Sequence, residues 1–303
     1  DSAVFTNAEG CDSTATLNLT INQSDTSYTN ITACDSVVWN GETYDSNGVY
    51  TYIGSSLTNN HSINFNNSTD KIEVSNFPTN YQNLTVSAWI NTDTSNISTG
   101  WNNIVDTWNQ ASTLTPFRLS FNNGNLYFGH DNQNGPFYAV APYTDTGWNH
   151  VTGVREFSNG QYTYTVYVNG YIYDMNWGSN FISNPTTTPG IFHHPDLSVL
   201  NQQIYIGNIG GSYIENFVGN IDDVQIWNRA LSQEEIQNYM ICPPAITDTC
   251  LLSYWDFENG SGNITYDQTS NGYNGTLLNG PTWSNDIPPM SCALTNINGC
   301  DST

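Results

Sequence analysis

The stretch GNIDDVQIWNRALSQEEIQ, residues 219–237, joins a strand signal to a helix start. NIDDVQIW is a short run rich in β-branched and aromatic residues, which predicts a strand. RALSQEEIQNYM follows, and Ser232 with Glu235 three residues later forms a capping box that predicts a short helix. Pro243 and Pro244 end it. The stretch therefore predicts a strand that leads directly into one short helix.

Strand signals of the same kind recur on both sides of this stretch, between turns rich in Gly, Asn and Asp. Such spacing, with alternating faces, is typical of a β-sandwich or jelly roll. The predicted strands include HSINFNN, DKIEVSNF, LTVSAWINT, NNIVDTW, FRLSFNNGNLYFG, WNHVTGVREF, QYTYTVYVNGYIYDM, QQIYIGNIG and LLSYWDF. We expect an all-β fold with one short helix.

The charge of the chain excludes one class of partner. Only 4 Lys and Arg residues stand against 27 Asp and Glu residues, for a formal net charge of -23. A polyanion such as nucleic acid would be repelled. The acidity fits divalent-cation binding or a saline habitat, although a solvated surface is the simpler interpretation. No apolar run is long enough to predict a membrane span.

The two ends of the sequence repeat each other. DSAVFTNAEGCDST (1–14) and MSCALTNINGCDST (290–303) align without gaps and agree at 8 of 14 positions. The chain is then either one unit of a tandem array or a subunit whose ends pair with copies of itself head to tail. A shared ancestral turn without contact between units is the third interpretation.

The N-terminal region reads as a small domain of its own. Leu17, Leu19 and Ile21 alternate as in a half-buried strand, and Asn-Gly pairs at 40–41 and 47–48 predict hairpin turns. The C-terminal repeat supplies its missing half. We expect a discontinuous, Ig-like β domain formed by 1–54 and 290–303, with residues 55–289 inserted as the sandwich.

Six cysteines lack the spacing of a zinc site and predict disulfides in an oxidising, extracellular or cell-surface setting. They are Cys11, Cys34, Cys242, Cys250, Cys292 and Cys300. Cys292 has no counterpart in the N-terminal repeat, so it is expected to pair with Cys242 or Cys250, while Cys34 pairs with Cys300 or Cys11. Sequons are no more frequent than chance predicts, but glycosylation stays open at three strand-like positions, Asn18, Asn30 and Asn83.

Several ordered motifs resemble bacterial laminin-G-like, concanavalin A-like modules. They are residues 219–237 together with LTVSAWI, WNHVTGV and YVNGY, and the resemblance covers about 54–285. LLSYWDFENGSG, which usually opens such a module, comes last here, so the resemblance implies a circular permutation. The flanking segments are similar to β repeats of Bacteroidetes-type secreted surface proteins.

The resemblance also implies a structural calcium ion where the first and last strands of the module meet. Its ligands would be Asp222, Asp256, Glu258 and Asp267, since calcium prefers several oxygen ligands. The alternative is a turn role, with Asp222 entering the strand and Asp267 inside the YDQTSNG loop.

Catalysis is not expected, and no catalytic residue is assigned. Retaining glycoside hydrolysis needs two carboxylates about 5 Å apart, which related hydrolases deliver from an ExDxxE strand that this sequence lacks. The doublets Asp222-Asp223 and Glu234-Glu235 would point in different directions. Carbohydrate binding has better candidates, although core packing could also explain such aromatic residues. They are Trp101, Trp108, Asp131, Tyr138 and Trp148.

The leading hypothesis is therefore a non-enzymatic, extracellular structural or adhesive protein, the unit of a head-to-tail surface fibre or tandem array that displays a laminin-G-like module. The alternative is a calcium-dependent carbohydrate-binding module of a secreted protein, with polysaccharide as its partner. The two hypotheses are compatible, because a fibre can display a lectin.

Overall fold

A computed structural model describes residues 59–108, 114–132, 135–172, 180–183, 201–209 and 215–290, and the backbone of four strands nearer the N-terminus. Side chains are not described for those four strands, for 132–136, for 180–183 or at position 201. The chain divides into two compact units, Asp1–Leu57 with Cys292–Thr303, and Thr58–Ser291.

The first unit contains two described pairs of antiparallel strands, β1 (Ser2–Thr6) with β2 (Asp12–Thr16) and β3 (Val37–Trp39) with β4 (Glu42–Tyr44). The second pair flanks the Asn-Gly at 40–41, so a hairpin forms where the sequence predicts one. The predicted strand through Leu17–Ile21 and the second Asn-Gly pair lie outside the described residues.

The second unit is a sandwich of two antiparallel sheets, as the strand pattern predicts. One sheet has eight strands in the order β11-β10-β9-β8-β16-β6-β20-β19. In chain order these are β6 (Lys71–Pro78), β8 (Trp101–Asp106), β9 (Thr115–Asn122), β10 (Asn125–Asn132), β11 (Gly135–Pro142), β16 (Asn201–Ile206), β19 (Ile264–Thr265) and β20 (Gly275–Leu278).

The other sheet has nine strands, seven of them in the order β14-β13-β12-β7-β17-β5-β21, while β15 pairs with β13 and β18 with β17. These strands are β5 (Ser62–Phe65), β7 (Leu84–Asn91), β12 (Trp148–Ser158), β13 (Gln161–Val168), β14 (Tyr171–Ile172), β15 (Asn180–Ser183), β17 (Gly219–Trp227), β18 (Leu251–Trp255) and β21 (Thr282–Ser284).

Strand alternation places one apolar row from each sheet in the core between them. In β9, Phe117, Leu119 and Phe121 are fully buried in the main hydrophobic cluster, while Arg118 and Ser120 belong to the opposite face. Asn123-Gly124 joins β9 to β10 with positive φ at both residues (48° and 74°), the conformation of a tight type I′ turn. The hairpin thus fixes which side chains of β9 and β10 face outward.

Arg155 of β12 ties the two layers together from inside. It is fully buried, and its guanidinium donates to the carbonyl oxygens of Tyr81 (2.6 Å), Gln82 (3.2 Å) and Pro116 (2.8 Å). Pro116 belongs to β9, so one side chain bridges the nine-stranded and the eight-stranded sheet. Burial lowers the pKa of Arg155, and the three carbonyl acceptors offset part of the cost of burying it.

The predicted helix is confirmed as α1 (Gln233–Tyr239), with Ser232 as N-cap. Ser232 Oγ accepts from Glu235 N (3.3 Å) and Glu235 Oε2 accepts from Ser232 N (2.8 Å), which is the predicted capping box. Ile236 carries the helix onto a second hydrophobic cluster, outside the main core, that contains Trp227 and Tyr254. The helix therefore covers part of the outer face of the nine-stranded sheet.

Candidate functional site

A row of polar and aromatic residues crosses the outer face of the eight-stranded sheet. Its members occupy paired positions on six neighbouring strands, on the side opposite the core. From β11 to β6 the row is Tyr138, Gly129, Arg118, Asp106, Tyr205 and Glu73. Residues far apart in the chain are thus aligned by strand register alone.

Three rings at the β11 end of this row contact one another and form what we call the aromatic platform. They are Tyr138, which belongs to the row, and its neighbours Trp101 and Tyr127. The centroid of the Trp101 ring lies 5.2 Å from that of Tyr127 and 5.6 Å from that of Tyr138, and the two tyrosines are 5.6 Å apart. All three side chains are partly exposed. Such edge-to-face and tilted contacts hold the three rings in fixed positions on the surface of the sheet.

Arg118 links the aromatic platform to buried charge. Its guanidinium lies 4.6 Å from the Trp101 ring centroid, its Nε bonds Asp106 Oδ2 at 2.6 Å, and its Nη2 lies 3.5 Å from Glu215 Oε2. Burial raises the pKa of Asp106 to about 6, although Arg118 and the backbone N–H of Trp108 act to lower it. A carboxylate committed to two donors in this way is poorly suited to proton transfer to a ligand.

Glu215 lies beside the row because hydrogen bonds to its backbone hold its segment against β8. Asn103 N and Nδ2 both donate to the Glu215 carbonyl oxygen at 3.1 Å, and Asn103 Nδ2 also donates to Glu215 Oε2 at 3.1 Å. Next to it, Asn216 forms an isolated bridge with Asn103. Segment 215–216 is therefore docked onto β8, and the carboxylate of Glu215 is fixed beside Arg118.

Four of the five predicted carbohydrate-binding residues lie in this region. Trp101, Asp131 and Tyr138 are brought together, with Tyr138 OH donating to Asp131 Oδ2 at 2.6 Å, and Trp108 is the second residue after β8. Burial raises the pKa of Tyr138 well above its usual value, so its hydroxyl stays protonated. The sequence did not identify Arg118, Tyr127 or Glu215. The alternation of FRLSF and NLYFG carries a signal for the first two.

Trp148, the fifth, lies elsewhere, at the start of β12 in the nine-stranded sheet. There it heads a row of paired polar residues, Trp148, Asn91, Asn220 and Asn64. Trp148 Nε1 donates to Asp286 Oδ1 (2.9 Å), and the amides of Asn91 and Asn220 donate to Asp286 Oδ2 (2.9 and 2.6 Å). The structure separates Trp148 from the other four residues by the thickness of the sandwich.

A β-bulge in β17 determines the environment of the Asp222-Asp223 doublet. The register against β7 shifts between Asp222 and Gln225, and Asp223 has a φ of 47°. Both side chains are buried. They have different partners, since Asp222 Oδ2 accepts from Asn59 Nδ2 at 2.8 Å and Asp223 Oδ1 accepts from the Tyr254 hydroxyl. Burial and then the charge of Asp223 raise the pKa of Asp222, and burial raises the pKa of Asp223 to about 7.

The predicted calcium ligands are all described, but they do not form one ligand group. In the described parts of the chain, no three His, Cys, Asp or Glu side chains are placed to hold a metal ion. Glu258 accepts from the backbone N–H groups of Asn60 (2.8 Å) and His61 (3.0 Å), and Asp256 accepts from Gln268 Nε2 (3.0 Å). These carboxylates bind N–H donors in the arrangement seen here, and calcium binding stays a prediction.

Asp267 occupies the alternative, turn role. Its carboxylate accepts from the backbone N–H groups of Tyr254 (3.1 Å), Thr269 (3.0 Å) and Tyr273 (2.9 Å), and from Thr269 Oγ1 (3.0 Å). Four donors shared by two oxygens make Asp267 the organiser of its loop.

The cysteine predictions are only partly within the described residues. Cys242 is disulfide-bonded, whereas Cys250 is a free thiol, so the expected disulfide at Cys250 is wrong. Cys250 is held in the turn before β18, where its N–H bonds Asp248 Oδ1 at 2.8 Å and its side chain packs against the cluster under α1. The Cys250 side chain therefore contributes to apolar packing. The remaining four, Cys11, Cys34, Cys292 and Cys300, lie outside the described residues.

Of the three predicted glycosylation positions, Asn83 is described. It is partly exposed, and its Oδ1 accepts from the backbone N–H of Phe157 at 2.7 Å. Asn18 and Asn30 lie outside the described residues, and glycosylation stays a prediction.

Comparison with known proteins supports the fold. Residues 65–237, more than half of the chain, match Laminin_G_3, the concanavalin A-like lectin/glucanases superfamily. No curated protein sequence matches the chain. A candidate carbohydrate-binding protein from Bacteroides ovatus is similar in structure, with 21% identity, a TM-score of 0.52, and coverage of 76% of this chain and 61% of that one. This chain thus spans less than two thirds of that protein's length.

Two further structures show weaker likeness. One is a heptameric SAP-like pentraxin from Limulus polyphemus (17% identity, TM-score 0.48, covering 77% of this chain and 98% of that chain). The other is the CBM40 module of a Ruminococcus gnavus sialidase bound to α2,3-sialyllactose (15% identity, TM-score 0.40, covering 58% of this chain and 94% of that chain).

Proposed function

This chain belongs to the concanavalin A-like lectin/glucanases superfamily, and we propose that it is a non-enzymatic carbohydrate-binding protein that acts outside the cell. The observation that carries the proposal is the aromatic platform of Trp101, Tyr127 and Tyr138 on the outer face of the eight-stranded sheet. Sugar rings stack their C–H faces on aromatic rings, while neighbouring amides and carboxylates bond the hydroxyl groups. Asp131, whose Oδ2 accepts from the Tyr138 hydroxyl, supplies such a group beside the rings.

Two further observations support a binding role over a catalytic one, and an extracellular location. Asp106, the buried carboxylate nearest the aromatic platform, is held by Arg118 Nε at 2.6 Å and by the N–H of Trp108 at 2.7 Å. It cannot act as an acid without losing its ion pair. The disulfide at Cys242 is typical of an oxidising compartment.

In the described residues, no helix has the length and apolarity that crossing a membrane requires.

A glycan array read with the wild-type protein, Trp101→Ala and Trp148→Ala tests the proposal. We expect wild type and Trp148→Ala to bind the same glycans, and Trp101→Ala to lose at least about tenfold in affinity, since loss of a stacking ring costs about 1–3 kcal/mol in comparable sites. Trp148 is the matched control because its indole lies on the other sheet and bonds Asp286. Equal binding by all three proteins would refute the site.

A head-to-tail fibre or tandem array is the second candidate, favoured by the match of residues 1–14 with 290–303. In that case the repeat supplies self-association and the sandwich is the displayed module. Size-exclusion chromatography with light scattering would show a concentration-dependent series of oligomers, which removal of residues 1–14 abolishes. A strict monomer at all concentrations, together with a gene that encodes no further repeat, would exclude this role.

A further inference from the structure

The chain has only four Lys and Arg residues, and all four lie in the described region. Arg155 is fully buried and bonds three carbonyl oxygens inside the sandwich. Arg229 lies beside α1, 2.6 Å from Glu235 and 3.8 Å from Asp248. Neither cation is available to a ligand on the eight-stranded sheet.

The two remaining cations lie on the proposed binding face and are also engaged. Arg118 is only 5% exposed and lies between the carboxylates of Asp106 and Glu215. Lys71 Nζ lies 5.2 Å from the ring centroid of Tyr205, towards the far edge of the row. Beside the aromatic platform, the single guanidinium is thus outnumbered by the carboxylates of Asp106, Glu215 and Asp131.

An acidic sugar has to place its carboxylate or sulfate in this environment. Recognition of such groups relies on charge-assisted bonds from free Arg or Lys donors. The surroundings of the aromatic platform do not offer them, since Arg118 is paired and Lys71 lies at the far edge of the row. The anion would also approach the carboxylate of Asp131 on a chain whose net charge is -23. Hydroxyl groups of a neutral sugar meet no such penalty, since the partly exposed carboxylate of Asp131 can accept hydrogen bonds from them.

Resting on the proposed function, we infer that this site takes neutral glycans, built of sugars without carboxylate, sulfate or phosphate groups, and rejects their acidic counterparts. The selectivity comes from the pairing of Arg118 and not from the rings, because every pyranose presents a similar apolar face to an aromatic surface.

Affinity electrophoresis with matched pairs of neutral and acidic glycans tests the inference. The pairs are arabinoxylan with glucuronoxylan, agarose with carrageenan, mannan with alginate, and hydroxyethyl with carboxymethyl cellulose, with lactose and sialyllactose as soluble competitors. Each gel is run with added calcium and again with EDTA, which removes metal-bridged binding, and about pH 7.5 keeps unperturbed histidines neutral. We expect retardation by at least one neutral member and at least about tenfold weaker retardation by its acidic partner.

The outcomes separate the inference from the function on which it rests. Equal or stronger retardation by an acidic member overturns the neutral selectivity and leaves carbohydrate binding in place. Retardation by neither member of any pair refutes the proposed function and the inference together.

A charge variant tests the cause of the selectivity. Glu215→Gln keeps the shape of the side chain but removes one of the two carboxylates beside Arg118. Binding of the acidic members should rise about two- to fivefold at low salt and return to the wild-type value at about 0.5 M salt. Glu234→Gln, an exposed change in the first turn of α1, is the matched control. Unchanged acidic binding by Glu215→Gln, with an unchanged Tm, contradicts the electrostatic basis.

Discussion

Both outer faces of the sandwich carry an arginine stacked on a tryptophan and paired with a carboxylate at 2.6 Å. On the eight-stranded sheet the group is Arg118, Trp101 and Asp106, and on the nine-stranded sheet it is Arg229, Trp227 and Glu235. The burial is reversed. Trp227 is fully buried under α1 and its arginine is partly exposed, whereas Trp101 is partly exposed and its arginine is buried. The same three groups stabilise a closed face in one case and present a ring to solvent in the other.

Removing each arginine should give the largest difference between the two faces. Arg118→Met leaves Asp106 buried without its cation and should lower the free energy of unfolding by about 3–5 kcal/mol. Arg229→Met removes an ion pair of equal length that is screened by water, and should cost about 0.2–1 kcal/mol. Urea unfolding at neutral pH measures both values. Similar losses in the two variants would mean that burial does not distinguish the pairs.

The buried Asp222-Asp223 doublet lacks the guanidinium that Asp106 has, and its contribution should depend on pH in the same direction as that of Asp106, because burial raises the pKa of all three carboxyls. The pKa of Asp223 is about 7 in the folded chain and about 4 when unfolded. Between these values the folded state holds the extra proton, so stability should fall as pH rises, by at most about 1.4 kcal/mol per unit.

Asp223→Asn should flatten this part of the stability profile between about pH 4 and 7, because asparagine tolerates the positive φ at this position. The exposed Asp93→Asn is the control. If calcium binds at this doublet, its addition at neutral pH should raise the Tm of wild type more than that of Asp223→Asn. A profile unchanged by Asp223→Asn would show that another carboxyl, such as Asp106, governs it.

Asp286 accepts bonds from Trp148, Asn91 and Asn220, and these hold the C-terminal segment onto the nine-stranded sheet. Asp286→Ala should cost about 1–2 kcal/mol of unfolding free energy, below the sum of three bonds because the carboxylate is exposed. Glycan binding should not change. A loss of binding without a loss of Tm would place a second ligand site on this face and remove the contrast between the sheets.

Tyr138→Phe should have the smallest effect, since it keeps the ring and removes only the 2.6 Å bond to Asp131. We expect a two- to tenfold loss of glycan affinity, about 0.5–1.5 kcal/mol, measured by isothermal titration calorimetry. Tyr239→Phe, at the C-terminal end of α1, serves as the comparison and should leave affinity unchanged. A loss as large as that of Trp101→Ala would mean that the hydroxyl and not the stacked ring provides the binding energy.

The all-β fold and the helix could be predicted from the sequence because alternation, Asn-Gly turns and the capping box are local signals. Strand β11 was missed, and it carries Tyr138. Pro136 and Pro142 near its ends argue against a central strand, but β11 is the edge of its sheet, where a missing N–H is tolerated. The all-β fold could still be predicted without β11, because the patterns of the other strands were sufficient.

The candidate site could be predicted only in part because it depends on register. Nothing in the sequence shows that Arg118, Asp106 and Tyr205 are neighbours, since β16 inserts between β8 and β6. For the same reason the sequence could not show that Trp148 and Trp101 lie on different sheets, because both occur in similar turn-rich stretches. The bulge at Asp222-Asp223 is likewise a tertiary effect, and the sequence pattern does not show that both carboxylates are buried there.

The N-terminal and C-terminal ends of the sandwich unit meet, since Asn59 Nδ2 lies 3.6 Å from the sulfur of Met290, and Asn285 Nδ2 donates to the Asn60 carbonyl oxygen at 3.1 Å. For protein engineering this makes residues 59–290 a transplantable cassette, once Cys242, which has no disulfide partner within that range, is replaced by Ser. It could replace the tip of a surface hairpin in a host protein without long linkers, because the gap it has to close is the width of a turn. The proposed glycan-binding face could thus be mounted on an enzyme, or on a display scaffold, at a chosen loop.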